Sequence, residues 1–191
     1  MDTLSDEQLV ARVMAGERAA LAPLVERYHG PLLSYLFRLT DGDRPLAEDL
    51  VQDTFLRVLQ QRTYQPGRPF KPWLYAVATH LAHDHFRSPA TRRTTRLDDD
   101  QETPMHGIHD ASPGPEERAQ MAEQGRAVAW AVQQLGGELR VTLLLRFDAG
   151  LSLREIAEAL GVPLGTVKSR LSAGTHKLRS LLVSVNQGEE R

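Results

Sequence analysis

At 191 residues, with 41% hydrophobic and 25% charged, the chain has the make-up of a globular protein of one medium or two small domains, which excludes a large multidomain enzyme and global disorder. It contains no Cys, which excludes disulfides, thiolate metal sites and Cys nucleophiles within the chain. The net charge of −2 conceals an alternation: residues 1–60 carry 6 basic against 10 acidic side chains, 61–96 carry 7 against 1, 97–125 carry 1 against 8, and 126–191 carry 9 against 6. Two positive surfaces joined by an acidic connector make nucleic acid a candidate ligand, and the acidic start offers a face to another partner.

The N-terminus, Met1-Asp2-Thr3-Leu4-Ser5-Asp6-Glu7, is acidic and lacks the basic and apolar regions of a secretory leader. With no apolar run of membrane-spanning length, a cytoplasmic protein without membrane insertion is expected. The apolar periodicity is helical throughout. Leu46, Leu50, Phe55 and Val58 with Leu59 fit one stripe, and Phe70, Leu74, Val77 and Leu81 fit another. Breaks are expected at Gly30-Pro31, Asp41-Gly42-Asp43, Pro66-Gly67-Arg68-Pro69, Gly136-Gly137 and Gly161-Val162-Pro163. Ser88 to Pro115, with four Pro and the run Asp98-Asp99-Asp100, reads as a flexible acidic linker. The expected fold is all-α, two small helical domains (1–88 and 116–185) joined by that linker (89–115).

Residues 47–59 place Glu48, Asp49, Gln52, Asp53 and Arg57 opposite the apolar stripe, a face that solvent alone could cover. A basic and aromatic stretch follows, from Arg62 through Arg68 to Lys71, Trp73 and Tyr75. Lys71, Tyr75, Thr79, His83 and Arg87 are spaced by four and form one row, flanked by His80 and Asp84. Cations beside a stackable ring suit unpaired bases, because a ring stacks an extruded base while Lys and Arg follow the phosphates. Phe70, and equally Trp73, could instead be core.

In the C-terminal part, Ser152 with Glu155 forms a capping box, and Ile156, Ala157 and Leu160 form the buried stripe of a short helix. Gly161 suits a left-handed turn, Pro163 a first helical turn, and Val167, Leu171 and Leu178 the core face of a second helix. Thr166, Lys168, Ser169 and Arg170 lie near its start, where a recognition helix meets base edges and phosphates in the major groove. Two short helices with a Gly turn occur in many all-α proteins. The capping box, the turn, the small Ala157 and the basic free face together favour a DNA-binding helix-turn-helix.

These features resemble an extracytoplasmic-function (ECF) sigma factor of bacterial RNA polymerase, in the sigma-70 family, which keeps only sigma regions 2 and 4. The resemblance rests on Ala47-Glu48-Asp49-Leu50-Val51-Gln52-Asp53-Thr54-Phe55, on Pro69-Phe70 with Trp73-Leu74-Tyr75 and Asp84-His85, and on Gly165-Thr166-Val167-Lys168-Ser169-Arg170-Leu171. It implies a non-enzymatic initiation factor without cofactors that binds core RNA polymerase and directs it to promoter DNA. Asp49, Gln52, Asp53 and Arg57 would face the clamp helices of the polymerase. Thr63 to Pro69, including Arg68, and the helix bearing Lys71, Trp73, Tyr75, His80, His83 and Arg87 would melt and hold the non-template −10 strand. Lys168, Ser169 and Arg170, with Thr166 and Arg154, would read the −35 element. The linker, at Asp98 to Glu102, would run through polymerase channels that later hold RNA, and an anti-sigma factor would be a regulatory partner.

The chain departs from that pattern at Ala76, at Gly136 and at Ala173-Gly174-Thr175, and Gly174 is expected to bend or fray its helix at a cost of about 1 kcal/mol. The alternative reading is a helix-turn-helix repressor or activator that binds duplex operator by itself, usually as a dimer. A metal-dependent hydrolase using His80, His83, Asp84 and His85 is disfavoured, because on one helix His85 points away from the other two imidazoles.

Overall fold

The computed structural model describes residues 4–60, 64–87 and 125–188. Among these residues there are helices and turns but no strand. Ser5 starts the first helix: its hydroxyl accepts from the Gln8 N–H while the Gln8 side chain accepts from the Ser5 N–H, a reciprocal cap for α1 (Asp6–Met14). A 3-10 turn leads into α2 (Leu21–Leu39), and Pro31 lies inside that helix rather than ending it. Pro31 removes one helical hydrogen bond. Leu24 before it and Leu32, Tyr35 and Leu36 after it are all fully buried, so one packed face carries the helix across.

The Asp41-Gly42 turn, with φ of 56° and 89°, reverses the chain as expected, and the Asp43 carboxylate accepts from the Leu46 N–H to start α3 (Arg44–Gln60). A turn through Gly67 then precedes α4 (Phe70–Arg87). On α3 the expected Leu50, Phe55 and Val58 are buried, while Leu46 and Leu59 sit at the edge. On α4, Phe70 and Leu74 are buried, but Val77 and Leu81 are only partly so, and Tyr75, Ala78, Thr79 and Ala82 take the interior. The stripe is broader than a single contact face because α4 is covered from several sides, by α1, α2 and α3 and by α7 of the C-terminal lobe. Buried Thr54 and Thr79 donate to the carbonyls of Leu50 and Tyr75, both at 2.6 Å, so neither hydroxyl is stranded.

The C-terminal lobe comprises α5 (residues 125–133), α6 (Gly137–Phe147), α7 (Leu153–Leu160) and α8 (Leu164–Gly188). Gly136 is the extended N-cap of α6. Contrary to expectation, α8 runs unbroken through Gly174. A Cβ there would stand 2.9 Å from Leu143 Cδ1 and 3.2 Å from Leu143 Cγ, so the missing side chain lets α6 and α8 approach closely.

The two lobes share one buried core, in which Leu144, Leu145, Ala149 and Leu151 join the residues of α1 to α4. Contact runs between α2 and α6 and between α4 and α7. The expected linker, Ser88 to Pro115, and the run Asp98 to Glu102 within it lie outside the described residues.

Candidate nucleic-acid and protein interfaces

The start of α4 sets the first surface. The Phe70 N–H donates to the Glu7 carboxylate of α1 at 3.2 Å, so a side chain from elsewhere in the fold caps this helix. Tyr64 closes the preceding turn, its hydroxyl donating to the Arg68 carbonyl at 2.6 Å, and its ring meets Trp73 edge-on at 5.0 Å between centroids. Phe70 is core, as the sequence allowed, and Trp73 is half-buried against Tyr64 and Phe70. Arg68, His80, His83 and Arg87 are exposed and Lys71 is partly so.

Tyr75 does not share that open edge. The ring is 1% exposed, meets Tyr35 edge-on at 5.2 Å, and burial together with the nearby Asp148 charge pushes its phenol up to about 12. The Tyr35 hydroxyl lies 2.7 Å from the Thr79 hydroxyl, so Thr79 too is turned inward. The four-residue spacing placed these residues on one row correctly. What it could not register is that α2 and the C-terminal lobe pack against the middle of that row.

The second surface is the outer face of α3. Asp49, Gln52, Asp53 and Arg57 are all exposed, and among them lies Leu56, 50% exposed, which sequence reading missed. Leu56 follows Asp49 by seven residues and Gln52 by four, so the three share one face. Its signal was available, since Leu56 falls outside the apolar stripe formed by Leu50, Phe55 and Val58. A large apolar side chain in a charged field is a mark of protein docking.

The third surface is the helix-turn-helix. The Ser152 hydroxyl accepts from the Glu155 N–H and the Glu155 carboxylate accepts from the Ser152 N–H at 2.7 Å, so the capping box is formed. Gly161 ends α7 in the left-handed region with φ of 63°. The Pro163 carbonyl accepts from the Thr166 and Val167 N–H groups at the entry to α8. Arg154, Lys168 and Ser169 are exposed, Thr166 is partly so, and the Ser169 hydroxyl donates to the Thr166 carbonyl at 3.0 Å. Arg170 differs from the expected base reader: its side chain is 19% exposed and pairs with Glu138 of α6 at 2.7 Å.

A cleft of about 650 Å³ lies between the lobes, lined by His80, His83 and Phe86 from α4 and by Arg140, Leu160 and Arg170 from the C-terminal lobe. Two ion pairs, Arg38 with Asp148 and Asp41 with Arg140, span the lobes. Burial pushes the Asp148 carboxyl up, and the Arg38 guanidinium offsets part of that. Among the described residues no group of three His, Asp or Glu is arranged to hold a metal, and no helix is long and apolar enough to cross a membrane.

Residues 24–93 match the family Sigma-70 region 2, and residues 131–180 match Sigma-70, region 4. The chain is 34% identical over 171 residues to the ECF RNA polymerase sigma factor SigE of Mycolicibacterium smegmatis, covering 87% of this chain and 64% of that protein, so it spans a little under two thirds of that relative. It is 33% identical to the ECF RNA polymerase sigma factor SigL of Mycobacterium tuberculosis, covering 91% of this chain and 94% of SigL. Two solved structures share the fold. One is CnrH in complex with the cytosolic domain of CnrY (TM-score 0.66, 24% identity, 94% of this chain and 97% of that one). The other is the sigma factor RpoE in complex with the anti-sigma factor NepR from Bartonella quintana (TM-score 0.63, 21% identity, 86% and 95%). With both sigma regions matched in order and a relative one third identical over nearly its whole length, the chain belongs to the ECF group of RNA polymerase sigma factors.

Proposed function

We propose that this chain acts as a non-enzymatic transcription initiation factor that binds core RNA polymerase, directs it to specific promoters and promotes −10 melting. The outer face of α3, Asp49, Gln52, Asp53 and Arg57 with Leu56 at its centre, meets the polymerase. Arg68, Lys71, Trp73, His80, His83 and Arg87 hold the unpaired −10 strand, the cations following phosphates and the half-buried indole offering a stacking edge. Arg154 on α7, with Thr166, Lys168 and Ser169 at the N-terminus of α8, reads the −35 duplex, and the dipole of α8 adds to the Lys168 charge. Arg170 braces α8 on α6 through Glu138. Residues 1–88 and 116–185 are the two functional units and 89–115 their connector, in a protein of the cytoplasm.

The observation that carries this reading is the pair of separate binding surfaces on the N-terminal lobe, an acidic helix face and a basic-aromatic edge. A stand-alone operator-binding regulator has a use for neither. A protein partner of the anti-sigma kind follows from the same family membership. The test is run-off transcription with purified core polymerase on the chain's own upstream DNA. Promoter-specific RNA that needs both components is expected, and operator binding by the chain alone without such RNA would overturn the reading.

A further inference from the structure

The segment that enters α4 has one free joint. Pro66, Pro69 and Pro72 have φ fixed by their rings and no N–H to donate, which leaves Gly67, at φ of 89°, as the residue able to swing. Gln65-Pro66-Gly67-Arg68 forms a β-turn, in which the Arg68 N–H donates to the Gln65 carbonyl at 3.2 Å, and Pro and left-handed Gly occupy the two central positions that suit a type II turn. All four residues are exposed, whereas Tyr64 before them and Phe70 after them are buried. The Tyr64 hydroxyl reaches past the turn and donates to the Arg68 carbonyl at 2.6 Å, so both polar groups of the Arg68 backbone are engaged, one by Gln65 and one by Tyr64. The Tyr64 ring is itself fixed, since Trp73 and Phe70 meet it edge-on at 5.0 and 6.2 Å between centroids. Glu7 holds the far end of the segment at the Phe70 N–H.

We propose that Tyr64 is a positioning residue for the −10 strand: its hydroxyl clamps the turn from Gln65 to Arg68 in the shape that accepts an unpaired base, and so sets how sharply that base is discriminated. The inference rests on the assignment of this segment and the start of α4 to the −10 strand. A turn ordered before the strand arrives loses no freedom on binding it, and a rigid rim rejects a misfitting base to which a soft one would yield. Gln65 offers an exposed amide and Arg68 an exposed guanidinium, with the half-buried Trp73 beside Tyr64. Strand contacts therefore fall to Gln65, Arg68 and Trp73, while Tyr64, 6% exposed, acts through the backbone carbonyl that it holds. Deleting the hydroxyl keeps the aromatic packing and releases the Gly67 joint.

The test uses holoenzyme assembled from core polymerase and the full chain. Its probes are short non-template oligonucleotides spanning the −10 element of the chain's own promoter, with each base varied in turn. Tyr64→Phe should lower the preference for the native base over its substitutes at one position roughly three- to tenfold, the factor that one ordinary hydrogen bond commands. Affinity for core polymerase and far-UV circular dichroism should stay as they are. Gly67→Ala leaves Tyr64 intact, and its Cβ would meet nothing within 4 Å, but it strains the same turn at positive φ. It should relax the same position, and it covers the case in which Tyr64→Phe does not fold. Unchanged discrimination in a folded Tyr64→Phe, or in Gly67→Ala where that variant does not fold, would overturn the positioning role. So would an equal loss of binding to every oligonucleotide, the pattern of a side chain that serves only the fold. The −10 assignment is tested apart from this: Arg68→Ala and Lys71→Ala that both bind all the oligonucleotides as the unaltered chain does would overturn it, independently of the result for Tyr64→Phe.

Discussion

Glu7 and Phe70 stand 63 positions apart, and the carboxylate of the first accepts the backbone N–H of the second at 3.2 Å. The first turn of α4 has no N-capping side chain of its own in this bond, and α1 supplies one. Glu7→Ala should cost about 1 kcal/mol of stability, the usual scale of a lost cap, read from the urea midpoint at constant slope. Because the same bond anchors the start of α4, directly after the turn that the Tyr64 hydroxyl closes on the Arg68 carbonyl, the variant should also slow promoter opening in holoenzyme. Glu7→Gln keeps an acceptor and should recover most of both effects.

Gly174 inverts the ordinary ranking of helix residues. At an exposed helix position, Gly→Ala gains about 1 kcal/mol. Here the new methyl meets Leu143 Cδ1 at 2.9 Å across a packed helix pair, and overpacking of that kind costs about 1–3 kcal/mol. Gly174→Ala should therefore lower the urea midpoint although it favours helix, with far-UV circular dichroism unchanged. A midpoint that rises would mean that Leu143 yields freely.

Much of this was legible in the sequence, and the omissions have a common cause. The helices, the capping box at Ser152, the turn at Gly161 and the exposed cations of α8 are decided within a few residues of chain, so local chemistry reveals them. Pro31, Gly174 and Tyr75 were misread because their meaning depends on a second element. Pro31 is carried by the packing of α2, Gly174 by the approach of α6, and Tyr75 by Tyr35 and the C-terminal lobe. Leu56 was missed for the opposite reason: it is distinguished by lying outside its helix's stripe, and stripe reading attends to what lies inside. Arg170 was assigned by its neighbours in sequence, while its actual partner, Glu138, is on another helix.

Leu56 is the sharpest test of the α3 face. With half its surface open, it adds little to the folded state of the free chain, so Leu56→Ala should leave the urea midpoint within about 0.5 kcal/mol. Binding to core polymerase should weaken by about 1–2 kcal/mol, roughly five- to thirtyfold, as for an apolar contact within a charged rim. Competition against a labelled sigma factor for core polymerase measures it. Asp53→Lys on the same face should weaken binding more at low salt than at high.

Lys168 and Arg170 are two residues apart but should fail differently. Lys168 is open, and Lys168→Ala should cost about 1–3 kcal/mol at one −35 position while sparing stability. Arg170 is held by Glu138, so Arg170→Ala should lower stability and weaken all promoters alike, without relaxing any single base pair. Transcription from a set of −35 single-base variants separates the two patterns. Position-specific relaxation by Arg170→Ala would return that residue to the base-reading set.

The four tyrosines give the structure an optical reporter of its own integrity. All four phenols are raised: Tyr28 by burial and by its hydrogen bond to Asp6, Tyr35 by burial, Tyr64 by burial with the Glu7 charge nearby, and Tyr75 to about 12 by burial and the Asp148 charge. In the unfolded chain each ionises near its ordinary value of about 10. Between that value and the folded one the native state binds more protons than the unfolded state, so stability falls as pH rises through this window and is fully present below it. Native protein should therefore show little phenolate absorbance at 295 nm at pH 10, whereas protein in urea titrates normally. On raising the pH further, the absorbance should appear together with the loss of helical circular dichroism, because the phenols ionise by way of unfolding.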